Sequence, residues 1–291
     1  MTSKYGIATS KGLGNFIDSD SKNEIVLAIG KMDYSMAPVY QSNFKNCYSG
    51  YLYHAPVVMK LEKLVPGTRL KNSWRAASPF IDAYLVVGDS KGHPVGWYGD
   101  TTTSQIRPDG WPASQWTEDE TSLTIKYLMV GSSSENSWNS SAHMSGTVYA
   151  MLIGRLPEQQ VQPEYGLQLY GSDGQTVNFN SHYMPSNPRY MLPLPSYNIN
   201  DYRQLQGFET GLTAGAKMVS GEQIARSGVI RSSSSFMNGN HYMAFSEDGT
   251  RYGARPIGWP SLMSRRFNTP FDIHPDKTTP IVRVWSVDDY F

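Results

Sequence analysis

The stretch Tyr165-Gly166-Leu167-Gln168-Leu169-Tyr170-Gly171-Ser172-Asp173-Gly174-Gln175-Thr176-Val177-Asn178-Phe179 decides how the fold is read. Apolar residues alternate with polar ones up to Gly171-Ser172-Asp173-Gly174, and alternation resumes at Val177 and Phe179. Every second side chain of a strand points to the same face, and Gly, Asn and Asp reach the positive-φ positions of a tight turn cheaply. The pattern therefore predicts a β-hairpin with one buried face. A variant of it stands at the start, with Tyr5-Gly6-Ile7, Lys11-Gly12-Leu13-Gly14, then Phe16 and Ile17. A chain that restarts its opening motif near its midpoint reads as two copies of one domain.

Working outward, Ile25-Val26-Leu27-Ala28-Ile29 reads as a strand buried on both faces, and Val57, Met59 and Leu61 alternate with Val58, Lys60 and Glu62 as a half-buried one. Between Phe80 and Trp97 the pattern predicts a hairpin, Tyr84 to Val87 and then Val95 and Trp97, turning at Gly88-Asp89-Ser90-Lys91-Gly92. Leu123, Ile125, Tyr127 and Met129 make one face of a strand whose other face holds Thr124, Lys126 and Leu128. Val148 to Ile153 closes the first half. In Leu156-Pro157-Glu158-Gln159-Gln160-Val161-Gln162-Pro163 two prolines bracket polar residues, which reads as a linker.

After it the opening hairpin recurs, His241 to Tyr252 predicts another hairpin turning at Ser246-Glu247-Asp248-Gly249, and Ile281 to Val287 is a final apolar strand. Ala214 to Arg226 is the one place where a short helix is entertained, and Gly215 and Gly221 speak against it. Many short strands with regular turns give an all-β class: two tandem, related antiparallel β-sandwich domains with long loops. The expected division is 1–156, a linker at 157–164, and 165–291. The long connections Ser35 to Tyr53, Thr101 to Glu120, Ser132 to His143 and Arg255 to Lys277 exceed ordinary loop lengths, as in proteins completed by contacts with other chains.

The 291 residues are 39% hydrophobic but only 17% charged, below the roughly 25% usual for soluble domains. Ser, Thr, Asn, Gln and Tyr replace the missing charge. With 25 basic and 25 acidic residues the net charge is zero, so no nucleic-acid partner is expected, because phosphate backbones demand clustered Lys and Arg. No run approaches the roughly 18 apolar residues of a membrane span, and Met1-Thr2-Ser3-Lys4 lacks the apolar core of a secretory signal. Cys47, the single cysteine, permits no internal disulfide and reads as a small packed residue.

No catalytic signature is found, so no catalytic, cofactor-binding or metal residue is assigned. Glu118-Asp119-Glu120 beside Trp111 and Trp116 is the place to look for paired glycosidase carboxylates, but three acids in a row read better as a solvated turn. His54, His93, His143, His182, His241 and His274 form no metal-ligand spacing. Asp18-Ser19-Asp20 begins like a calcium loop, but Lys22 and the missing glycine break it. Ser-rich Arg231-Ser232-Ser233-Ser234-Ser235 offers no frame for a Gly-x-Ser-x-Gly elbow between strand and helix, Gly12-Leu13-Gly14 lacks the third glycine and following helix of a dinucleotide site, and no Walker glycine loop is present. What remains is aromatic. Tyr48, Tyr51 and Tyr53 alternate in a Ser/Gly context, and Trp111, Trp116 and Trp138 are expected in loops. They are candidate interface residues, or else they pack their own loops.

Tyr-Gly-Ile/Leu followed by a Gly-containing turn and a second strand resembles the opening of small structural proteins of tailed bacteriophages. The likeness covers about 15 residues in each half, and Thr9-Ser10-Lys11-Gly12 is a looser version of the turn. The resemblance implies a non-enzymatic virion component of the tail, tail tip or neck. It also implies a homo-oligomer touching other virion proteins, made in the host cytoplasm and resident in the virion. It transfers no binding residue. The alternative expectation is a receptor- or carbohydrate-binding tail protein using the aromatic loops on a host-surface glycan. A hydrolase of surface polysaccharide ranks third.

Overall fold

The computed structural model describes residues 6–8, 16–18, 23–36, 54–68, 83–97, 115–131, 143–157, 160–162, 164–193, 208–209, 211–221, 225–232, 235–257 and 281–291. Among them every element is a β-strand except a short 3-10 turn at Val287–Asp289, so the all-β expectation is met. The predicted opening hairpin exists as β1 (Gly6–Ala8) and β2 (Phe16–Asp18), paired with Ile7 opposite Ile17.

The main body is built from β3 (Glu24–Met36), β4 (His54–Lys63), β5 (Ala83–Asp89), β6 (Val95–Trp97), β7 (Gln115–Glu118), β8 (Ser122–Gly131) and β9 (Met144–Arg155). Beyond the linker come β10 (Gln168–Tyr170), β11 (Val177–Asn180), β12 (Tyr190–Pro193), β13 (Phe208–Glu209), β14 (Lys217–Ser220), β15 (Ala225–Ser232), β16 (Ser235–Phe245), β17 (Arg251–Ile257) and β18 (Ile281–Ser286). A 10-stranded antiparallel sheet runs in the order β12-β18-β14-β5-β9-β3-β4-β8-β6, with β7 also on β8. Its seam is the pairing of β14 with β5, which sets Val219 opposite Val87 and Ser220 opposite Val86. Strands from both sides of 157–164 thus share one ladder, and the boundary expected there does not separate two sheets.

Three local expectations are corrected. β5 and β6 are not a hairpin: β5 pairs with β9 and β14, while β6 pairs with β8, so the chain arches between partners at Gly88 to Pro94. In β8 the alternation slips. Met59 lies opposite Ile125 but Val57 lies opposite Leu128, because β8 carries an extra residue in between. The bulge turns Leu128, expected on the polar face, into the core beside Val57 and Val130. Among the described residues of Ala214 to Arg226 there is no helix; β14 and the start of β15 lie there.

The burial pattern explains why the sheet holds. Along β5, Leu85 and Val87 face a core with Val57, Met59, Leu61, Leu123, Ile125 and Leu152. Val86 faces the other way, onto Val26, Met151, Ile153, Met218 and Trp285. The central strands are buried on both faces, as the apolar run Ile25 to Ala28 predicts. Each fully buried Val, Leu, Ile or Met contributes about 1.5–3 kcal/mol. On the outer face the C-terminal turn supplies cover, with Val287 buried in that cluster and the Phe291 ring 5.1 Å from that of Tyr149.

The second sheet, in the order β13-β17-β16-β15, contains the hairpin predicted between His241 and Tyr252. Met243, Phe245 and Tyr252 pack on Leu192, Val219 and Val284 of the main sheet. The Phe245 N–H also donates to the Gly92 carbonyl at 2.9 Å, tying this sheet to the β5–β6 arch. Gly92 has φ 74°, and a Cβ there would lie 2.1 Å from the Phe245 carbonyl oxygen, so only glycine suits the arch.

Candidate interaction surface

The hairpin at Tyr165 forms as predicted. β10 and β11 are antiparallel with Gln168 opposite Asn180 and Leu169 opposite Phe179. The Gly171 N–H donates to the Thr176 carbonyl at 2.7 Å, and Gly174 takes φ 66° at the tip. Asp173 Oδ1 accepts the N–H groups of Gln175 and Thr176, each at 2.9 Å, and its other oxygen accepts the Thr176 hydroxyl.

The same device recurs in two other turns. Asp119 accepts from Thr121 and Ser122, and Asp248 accepts from Ser246 and Thr250. Each carboxyl is held below its ordinary value, chiefly by a hydroxyl hydrogen bond, with the backbone N–H groups adding. Asp173 and Asp248 fall to about 2, and Asp119 is also lowered. A carboxyl depressed in the folded state stabilises above its unfolded pKa and loses that contribution as pH falls through the folded value. The three turns are therefore expected to be intact at pH 5 and to loosen between about pH 4 and about pH 2. Amide exchange of Gln175, Thr176 and Thr250 followed down the pH scale checks this. Unchanged relative protection at the lowest pH would contradict it.

The single buried face predicted for the hairpin is only half present. Asn178, Phe179 and Asn180 on β11 are buried, whereas on the β10 side Tyr165 is 89%, Leu167 41% and Tyr170 45% exposed. The asymmetry has a local cause. β11 is covered by the preceding segment, with the Asn180 side-chain amide donating to Gln160 Oε1 and the Val161 carbonyl, and Asn23 donating to the Asn178 carbonyl. The entry to β10 is anchored through the Leu167 backbone: its N–H donates to Ser181 Oγ at 2.8 Å, and Ser181 N–H returns to the Leu167 carbonyl at 2.9 Å. Tyr165, Leu167 and Tyr170 thus project from a fixed backbone. Val161 and Met184, both exposed, extend the apolar character. From Tyr165 to Pro188 the one Asp, Glu, Lys or Arg is Asp173. Exposed apolar residues concentrated in one segment mark an interaction site more often than scattered ones do.

A polar cluster that the sequence reading passed over closes one end of the main sheet. The Asp89 side chain is buried, and its Oδ2 accepts the N–H groups of Lys91 at 2.9 Å and His93 at 3.3 Å and lies 3.1 Å from His93 Nδ1. The Tyr34 hydroxyl also meets His93 Nδ1, at 3.0 Å. Burial first, and then the Asp89 charge, keeps that phenol protonated well beyond its ordinary range. Oδ1 of Asp89 has no hydrogen-bond partner. It lies 2.8 Å from where a Gly146 Cβ would stand, so a glycine there lets it approach. Chemically, Asp89 fixes the arch between β5 and β6. Among the described residues the Tyr34 phenol is the hydroxyl shown at hydrogen-bond distance from His93, and Asp89 faces the same ring nitrogen. Nearby, Ser35 Oγ lies 2.6 Å from His143 Nε2, but Asp33 binds Thr147 rather than orienting that imidazole.

A second cluster joins the chain's two halves. Glu24 Oε2 accepts from the Tyr84 hydroxyl at 2.6 Å and from Arg283 Nη1 at 2.7 Å. The Arg283 guanidinium lies 4.9 Å from the Tyr84 ring centre and 5.4 Å from that of Trp285, within cation–π range. Burial first, then the Glu24 hydrogen bond and charge, raises the Tyr84 hydroxyl, which stays a donor. Trp285 Nε1 donates to Ser186 Oγ at 3.1 Å.

Of the predicted interface aromatics, Tyr48, Tyr51, Tyr53, Trp111 and Trp138 lie outside the described residues. Trp116, expected in a loop, sits in β7 opposite Ile125. The acidic run beside it is a turn, as expected: Asp119 caps it, and Glu118 lies 3.5 Å from Lys63 Nζ. Among the described residues no three His, Cys, Asp or Glu side chains are grouped to hold a metal, and no helix is long and apolar enough to cross a membrane. No family model, curated protein or solved structure matches the chain.

Proposed function

We propose that the chain is a non-enzymatic structural component of a bacteriophage virion, built into the tail, tail tip or neck through protein–protein contacts. The single observation that carries the assembly role is the fixed, nearly uncharged hairpin edge at Tyr165, Leu167 and Tyr170. Tyrosines held on a rigid backbone make strong interface anchors, since little conformational entropy is lost on docking. The bacteriophage origin rests on the Tyr-Gly motif at Tyr5 and Tyr165. In this reading the two halves are related through their opening hairpins, and strands from both contribute to the 10-stranded sheet.

Mass spectrometry of purified virions, with labelling of the assigned position, tests the proposal. The protein is expected in stoichiometric amounts in the particle, and its absence from particles would overturn the assignment. The receptor- or carbohydrate-binding alternative is separated by a glycan array with Trp111→Ala and Trp116→Ala. Sugar binding abolished by these changes would argue against a purely structural role.

A further inference from the structure

We infer that Lys217 anchors a binding site for a small zwitterion of the α-amino-acid type, whose carboxylate meets the Lys217 ammonium and whose own ammonium meets Asp288. Lys217 is 3% exposed, and among the described residues its Nζ has neither a hydrogen bond nor an ion pair. A buried lysine is rare unless paired, because taking an ammonium from water without a partner is costly. Two residues apart on β14, Lys217 and Val219 share a face, and Val219 packs in the apolar layer between the two sheets. The Lys217 Cε lies 3.6 Å from where a Gly249 Cβ would stand, and its Nζ lies 6.0 Å from the centre of the Tyr190 ring, the outer limit of a cation–π contact. The stem is thus held by packing, and the charge is left over.

That charge borders Gly215. Among the described residues, and apart from its chain neighbours, two atoms lie within 4 Å of where a Gly215 Cβ would stand: Asp288 Oδ2 at 3.5 Å and Lys217 Nζ at 3.8 Å. Gly215 has φ 121°, a conformation that residues with a side chain rarely adopt, so this space suits a glycine. Asp288 also has no hydrogen bond or ion pair among the described residues, and it does not pair with Lys217. The carboxylate of Asp248, next to Gly249, is committed to Ser246 and Thr250. One ammonium and one carboxylate therefore border the same point without neutralising each other. A simple anion would be drawn to Lys217 but repelled by Asp288, and a simple cation the reverse. A molecule carrying both charges a few heavy atoms apart satisfies the two with charge-assisted hydrogen bonds. The site stands on different residues from the assembly reading and is independent of it.

Glycine is the probe, used on the full chain at concentrations too low for general osmolyte stabilisation. Isothermal calorimetry and thermal unfolding are the readouts. Glycine is expected to raise the unfolding midpoint of the parent and to bind Lys217→Met at least about tenfold more weakly. Methionine keeps an apolar stem and removes the unpaired charge, so without glycine this variant is expected to be at least as stable as the parent. Asp288→Asn, on an exposed side chain, is expected to weaken glycine by a similar factor. Acetate and methylamine, each carrying half of the ligand, are expected to bind the parent at least about tenfold more weakly than glycine. Absence of glycine binding to the parent overturns the inference. So does glycine binding that neither variant weakens, or acetate binding as tightly as glycine. Lys217→Met destabilised equally with and without glycine would show that the ammonium is already satisfied in the folded chain, and also overturns it. Each of these failures leaves the assembly reading in place, since particle composition tests that separately.

Discussion

Gly88→Ala is expected to destabilise the entire chain by at least about 3 kcal/mol, the upper end of overpacking penalties. A Cβ at this position would lie 2.0 Å from the Lys217 carbonyl oxygen and 2.9 Å from its carbon. Both obstacles are backbone, so no rotamer change relieves them. Lys217 opens β14, whose Val219 and Ser220 pair with Val87 and Val86 immediately before Gly88. The added methyl group must therefore push β14 from β5, and with it β18 and β12. Denaturant unfolding should show a lower midpoint at an unchanged slope. Val58→Ala, on an exposed side chain of β4, serves as the near-neutral comparison. Equal midpoints for the two variants would contradict the close approach of β5 and β14.

Trp285→Ala is expected to cost about 3–5 kcal/mol, the range for removing a buried large aromatic. Trp285 is 1% exposed and packs with Val26, Val86, Met151 and Met218, residues drawn from β3, β5, β9 and β14. Its ring also lies beside the Arg283 guanidinium that pairs with Glu24, and its indole N–H holds Ser186. Truncation leaves a cavity on the outer face and removes the indole's hydrogen bond to Ser186. Trp285→Phe keeps most of the volume and loses the hydrogen bond, so its cost should fall well below that of alanine. Thermal unfolding of both variants checks the order, and alanine no worse than phenylalanine would show that packing is not what Trp285 contributes.

What could be read from the sequence divides by the range of the interaction that decides it. The alternation from Val57 to Glu62 gives β4 and its buried face correctly, because strand periodicity is local. The turns at Asp173 and Asp248 are legible for the same reason: a carboxylate two or three residues before Thr caps its own turn. The phase of β8 is not legible beyond Ile125, since the bulge exists only in its register against β4. The arch between β5 and β6 looks like a hairpin because sequence neighbours are the default partners, and only β8 and β9 reveal otherwise. β14 is four residues long, too short for periodicity to separate strand from helix.

The candidate surface was visible as a motif, but its exposure was not. Leu167 and Phe179 have the same apolar signal, yet Phe179 is buried and Leu167 exposed, and the segment at Gln160 and Val161 is bound by the neighbouring Asn180 of β11. The cluster at Asp89 had a local signal, the Asp-x-x-x-His spacing across a turn, but Tyr34 arrives from 59 residues away.

The central claim is that strands from both sides of 157–164 complete one sheet, so the two halves stabilise each other. Differential scanning calorimetry of the full chain beside the Gly88→Ala variant tests it most directly. The account predicts one cooperative transition in the parent chain, displaced as a whole to lower temperature by the substitution. Two separate transitions, with only one moved by Gly88→Ala, would contradict it.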